Sequence, residues 1–179
     1  MQENYTIEQH KHNFAVWTCS RAVQRNFTNS KIIANAIEKS QLHTKVRDLE
    51  IKNISNGDFD NWHKDIAKEI LRAIPIKEKD TREPYGRAAK IIAIYIKTYH
   101  ILGNPNSSLS AVAHPPVDRI LLSGLFKNNK EFTILDVAGT TWTNLNEGTY
   151  FKVINDLRTI QKKMGYEYFW MIESDWKSA

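Results

Sequence analysis

With 179 residues, 41% of them hydrophobic and 25% charged, the chain has enough apolar material for one self-supporting core and too little charge for wholesale disorder. A single cysteine, Cys19, excludes an intramolecular disulfide and any four-cysteine zinc or iron–sulfur centre. A net charge of +5 favours polyanionic partners, while the lack of a long apolar run or a signal-like N-terminus points to a cytoplasmic protein with no membrane association.

Residues 1–11 are polar and read as a flexible tail ahead of a single helical domain over 12–179. "HNFAVWTCSRAVQRNF" (12–27) lacks Gly and Pro and predicts a long helix that buries Cys19 as an inert thiol. Thr28, Asn29 and Ser30 supply a turn and a cap for "KIIANAIEKS". Residues 41–57 suit a helix or two short strands, with Asn56-Gly57 as a turn. The next helix starts behind Asp58 or Asp60, sets Trp62, Ile66, Ile70 and Ile74 on one face, and stops at Pro75.

A charged loop over 75–84 leads into "YGRAAKIIAIYIKTYHIL" (85–102), apolar almost all round and therefore a central buried helix. A turn-rich connection, 103–116, ends in Pro115 and Pro116, which open the helix "VDRILLSGLF". Residues 131–137 suit either a strand or an irregular link. A helix capped near Asn146 and stopped by Gly165 follows, then a short aromatic closing helix. The pattern predicts a mainly α, compact single-domain fold of about seven to eight helices.

Asp118 is the first candidate for chemistry. A carboxylate there either offsets the positive end of the helix or serves as the acid of an active site. Arg87, Lys90 and Lys97 fall within an arc of about 80° on one helix, a basic stripe for phosphates or a solvated face. Arg21 and Arg25 lie one turn apart beside Trp17, as a backbone grip with a stacking ring or as ion-pairing residues. His114, four residues before Asp118, either binds a phosphate or closes the turn. The six histidines show no metal-ligand spacing, and phosphate loops, dinucleotide fingerprints and nucleophile elbows are missing from the sequence. Neither a metal nor a cofactor is expected.

Together, "YGRAAKIIAIYIKT" and "HPPVDRILLSGL" resemble the core of the helix-hairpin-helix DNA glycosylases, the base-excision superfamily that includes endonuclease III and the 8-oxoguanine glycosylases. The upstream segment "FAVWTCSRAVQRNFTNSKIIANAI" is similar in shape to that family's early helix-turn-helix, so the likeness extends over residues 12–126. It implies a monofunctional N-glycosyl hydrolase with Asp118 as catalytic carboxylate and a phosphate-binding hairpin at Tyr85-Gly86-Arg87. Gly86, Arg87, Lys90, Lys97, Arg21, Arg25 and His114 would then contact DNA, and Trp17, Trp62 or Tyr85 would stack on an everted base. Four departures stand out: the glycine-rich hairpin is reduced to "EPYGR", Ala88 occupies the place of the family's lysine with Lys90 two residues on, the connection to Asp118 is longer than the family's, and cluster-binding cysteines are absent. The alternative is a non-catalytic helical module that binds nucleic acid or a protein through its basic faces.

Overall fold

The computed structural model describes residues 4–24, 27–75, 85–132 and 142–176. Helix α1 spans Ile7–Val23. It begins earlier than expected because Thr6 and Gln9 form a reciprocal cap, with Gln9 N–H donating to Thr6 Oγ1 (3.2 Å) and Thr6 N–H to the Gln9 side chain (2.7 Å). The expected flexible tail is thus corrected over residues 7–11. A 2.6 Å bond from the Tyr99 hydroxyl to Glu8 also ties this end to the middle of the molecule.

Helix α2 (Ser30–Lys39) starts at Asn29, whose side chain accepts from Ile32 N–H, as the turn signals predict. Residues 42–50 then resolve as helix α3 (Leu42–Glu50), entered through Gln41 in the left-handed region at φ 53°. Helix α4 (Asn56–Ala73) is capped by Ser55 with Asp58, so Asn56-Gly57 lies inside its first turn. Its start was expected at Asp58 or Asp60; the Ser55–Asp58 cap places it earlier. Phe59, Ile66 and Ile70 face inward, Trp62 is half-buried, and Pro75 follows the last turn.

Helix α5 (Tyr85–Ile96) is buried at every position except Lys90, which is half-buried. It packs against α1 and α4 and, on another side, against a 3-10 turn at Trp142–Asn144 and helix α8 (Glu147–Lys163). Its end widens into a π-turn, Lys97–Ile101, where Leu102 N–H reaches back five residues to the Lys97 carbonyl (3.1 Å). The 103–116 connection contains a short helix α6 (Ser108–Val112). Helix α7 (Arg119–Asn128) begins after Asp118, not at the prolines. Asn146 caps α8, and Gly165 beyond its end takes φ 68°. A 3-10 segment, Phe169–Asp175, closes the core against α6, α7 and α8.

The fold is mainly α, with eight α-helices and no strand among the described residues. No described helix is long and apolar enough to cross a membrane. The charged loop over 76–84 and most of the uncertain stretch at 131–137 lie outside the described residues.

Candidate functional site

Asp118 is the N-cap of α7, and its two oxygens do different things. Oδ1 accepts from Ile120 N–H and Leu121 N–H, both at 3.0 Å, which satisfies two donors the helix cannot pair internally. Oδ2 faces away from the helix, 3.5 Å from Lys90 Nζ and 3.3 Å from the indole Nε1–H of Trp176. Lys90 also sits over the Trp142 ring, 4.5 Å from its centroid. Burial makes the Lys90 ammonium give up its proton more easily than an ordinary lysine, and Asp118 opposes that effect without cancelling it.

Beside this pair, Lys97 from the start of the π-turn bonds Glu173 from the closing 3-10 segment. Burial raises the Glu173 carboxyl; Lys97 pulls it down and the negative charge of Asp118 pushes it up. Lys97 and Glu173 form one wall of a cavity of about 510 Å³ lined by Ile101, Leu102, Tyr166, Trp170 and Met171. The site therefore combines a cation–carboxylate pair at a helix N-terminus with a neighbouring aromatic hollow.

Other predicted residues are placed differently. Lys90 and Lys97 do share a face, but Asp118 and Glu173 already neutralise them, so the stripe is not a bare phosphate track. The Gly86 N–H is spent on the Leu145 carbonyl (3.0 Å), and Arg87 is buried with its guanidinium 4.1 Å from the Phe27 ring centroid. A phosphate-binding hairpin at these two residues is thereby corrected: the glycine N–H is already used and the arginine is buried. Tyr85 and His114 are buried too, which removes one as a stacking ring and the other as a phosphate contact. Trp62 is half-buried against Phe59. On α1, Phe14 and Trp17 stack in the open, 52% and 58% exposed, with Arg21 one turn beyond. Arg25 lies outside the described residues. Cys19 is fully buried, and burial pushes its thiol pKa up, as an inert core thiol requires.

His114 belongs instead to a buried relay that sequence reasoning missed. Tyr85 OH lies 2.9 Å from His63 Nδ1, and His63 Nε2 lies 3.5 Å from the Tyr150 hydroxyl. Tyr150 OH is 3.0 Å from His114 Nδ1, and His114 Nε2 is 2.9 Å from Asp60 Oδ1. Arg158 closes the chain with a bidentate grip on Asp60 at 2.8 and 2.6 Å. One assignment of hydrogens satisfies every link: each hydroxyl donates to Nδ1 of a neutral histidine, and each Nε2–H donates onward toward Asp60. The available signal was His63, a polar residue on the apolar face of α4 one turn from Asp60, where burial demands a partner.

The relay carries a pH prediction. Burial lowers His114 to about 4 against partial opposition from Asp60, and burial holds His63 well below its ordinary value. Burial raises Asp60, but its bonds from Arg158 and His114 outweigh that and keep it far below the usual carboxylate range. The unfolded histidines take up protons near pH 6.5 while the folded ones do not, so their contribution is complete above about pH 6.5 and declines toward pH 4. Urea denaturation is expected to show stability falling by at least about 3 kcal/mol across that window. A flat profile from pH 7.5 to 4.5 contradicts neutral buried histidines.

No family model, curated protein or solved structure matches this chain.

Proposed function

We propose that the protein binds DNA and removes a base in the manner of a glycosylase, with Asp118 and Lys90 as the reacting pair. The observation that supports this reading most is the 3.5 Å approach of Lys90 Nζ to Asp118 Oδ2, the oxygen that the helix cap leaves unused. As the bond from sugar to base breaks, positive charge grows on the sugar, and a carboxylate fixed at that point stabilises it. Lys90, its proton loosened by burial, hands that proton to the departing base; water then adds to the sugar cation, and the proton it releases returns to Lys90. The aromatic cavity next to Glu173 has room for an everted base, and the indole of Trp176 must swing off Oδ2 to admit the sugar. Phe14, Trp17 and Arg21 supply an exposed aromatic and basic surface for the strand.

A second reading, a non-catalytic binding module, draws on the internal use of the Gly86 N–H and the burial of Arg87. Excision assays on duplexes carrying a panel of lesions separate the two. Asp118→Asn keeps a good helix cap but leaves the buried Lys90 without its counter-charge, so the fold is expected to be retained at some loss of stability while excision falls by at least about 100-fold. An unchanged excision rate removes Asp118 from the chemistry. Salt-sensitive DNA binding without excision of any lesion leaves the binding module, and no binding at low salt rejects both readings.

A further inference from the structure

The π-turn that ends α5 presents a second constellation, which shares no lining residue with the aromatic cavity. His100, on that turn and 3% exposed, has Nδ1 2.6 Å from Glu50 Oε1 at the end of α3 and Nε2 2.7 Å from Ser107 Oγ ahead of α6. The Glu50 carboxylate accepts Nδ1–H, which leaves Nε2 as the acceptor for the serine hydroxyl. Ser107 opens onto a polar cleft of about 410 Å³ whose walls include Glu8, Lys11, Arg47 and Asn104, with Lys11 paired to Glu8 at 3.4 Å.

A purely structural account makes Ser107 the cap of α6, and it does accept from Ser110 N–H at 3.0 Å. That bond uses a lone pair and leaves the hydroxyl proton to be directed elsewhere. That proton has two acceptors in reach: Ser110 Oγ at 2.9 Å, whose own proton goes to the Asn104 carbonyl at 2.6 Å, and His100 Nε2 at 2.7 Å, the nearer and more basic of the two. The side-chain caps Thr6, Asn29 and Asn146 have no imidazole bonded to the capping atom. A serine, a buried histidine and a carboxylate in hydrogen-bonded sequence at an open cleft are the parts of an acyl-transfer site.

We infer that Ser107 is a nucleophile toward small anionic carboxylic esters, with His100 as its base and Glu50 as the group that orients the imidazole. Ser107 Oγ adds to the ester carbonyl carbon as its proton passes to His100 Nε2. The tetrahedral adduct collapses with cleavage of the bond to the alcohol oxygen, and the alcohol leaves with that proton. Water, losing a proton to His100, then attacks the acyl-serine; the carboxylic acid departs and the serine regains its hydrogen. Arg47, which forms no ion pair among the described residues, meets the anionic part of the ester.

The test uses the full chain, a fluorophosphonate probe and two esters, p-nitrophenyl acetate and p-nitrophenyl hydrogen succinate. The expected result is one phosphonyl adduct per chain, located on Ser107 by peptide mass spectrometry, with turnover of both esters. Ser107→Asn retains a capping side chain and is expected to lose the adduct at unchanged melting temperature. Glu50→Gln is expected to slow labelling and turnover by at least about 10-fold, and Arg47→Gln to raise KM for the succinyl ester but not for the acetyl ester. A wild-type chain that stays unlabelled in millimolar probe overturns the inference. So does an adduct on Ser107 whose rate of formation is indifferent to Glu50→Gln, since that marks an exposed hydroxyl without a base behind it.

Discussion

Gly86→Ala is expected to destabilise the protein by about 3 kcal/mol or more, although alanine is the better helix former by about 1 kcal/mol. Gly86 lies in the first turn of α5, where a Cβ would stand 1.9 Å from the Trp142 carbonyl oxygen and 3.2 Å from Leu145 Cβ. The first distance is shorter than any non-bonded carbon–oxygen approach, and the obstructing atom is backbone, so no side-chain rotation relieves it. The 142–145 segment must retreat, which also breaks the bond from Gly86 N–H to the Leu145 carbonyl. Retreat of Trp142 further uncovers Lys90, whose ammonium rests over the Trp142 ring. The variant should therefore lose stability in urea and show altered tryptophan emission together. A variant as stable as the wild type means that this segment does not dock on α5 as described.

Asp60→Ala is expected to cost about 3–5 kcal/mol, because it strands two partners at once. The Arg158 side chain is 12% exposed and that of His114 is 1% exposed, so neither recovers adequate solvation when the carboxylate is gone. Most of this cost is the penalty of leaving partners unsatisfied rather than the net worth of the pair. The double variant Asp60→Leu with Arg158→Met should consequently recover much of the loss, and a double-mutant cycle measured by urea denaturation reads the difference. Strictly additive losses would mean that Asp60 and Arg158 act independently, contrary to their bidentate geometry.

Local chemistry was legible where one residue carries its own reason. Asn29 and Asn146 cap helices because their side chains fit that role, Pro75 ends α4, and the stretch 85–96, apolar almost all round, makes a buried central helix. The α1 start was missed because the Thr6–Gln9 cap sits inside a polar stretch whose packing depends on Tyr99, more than ninety residues away. The pairing of Lys90 with Asp118 was only half legible. Each residue stood out, but as phosphate ligand and acid separately, since no local pattern relates positions 28 residues apart. Gly86 was read through its resemblance to a hairpin glycine, whereas a glycine is equally required where another backbone crosses closely. The relay from Tyr85 to Asp60 joins α4, α5, α8 and the loop before α7, so only the fold reveals it.

The π-turn at Lys97–Ile101 has an evolutionary reading. Reaching back five residues instead of four accommodates one extra residue, so the turn is equivalent to a single-residue insertion in an otherwise ordinary helix. Removing one residue between Ile96 and Leu102 would close the bulge to the α-helical repeat with the helix on either side still in phase, so the residues within the turn are the ones re-aimed. His100 would then no longer point at both Glu50 and Ser107, although the apolar contacts of Tyr85–Ile96 would be untouched. Descendants of a common ancestor that kept this core but dropped that residue would retain the architecture and part with the imidazole cluster in one step. An indel of length one at this position is thus a marker by which lineages with and without the second constellation can be sorted.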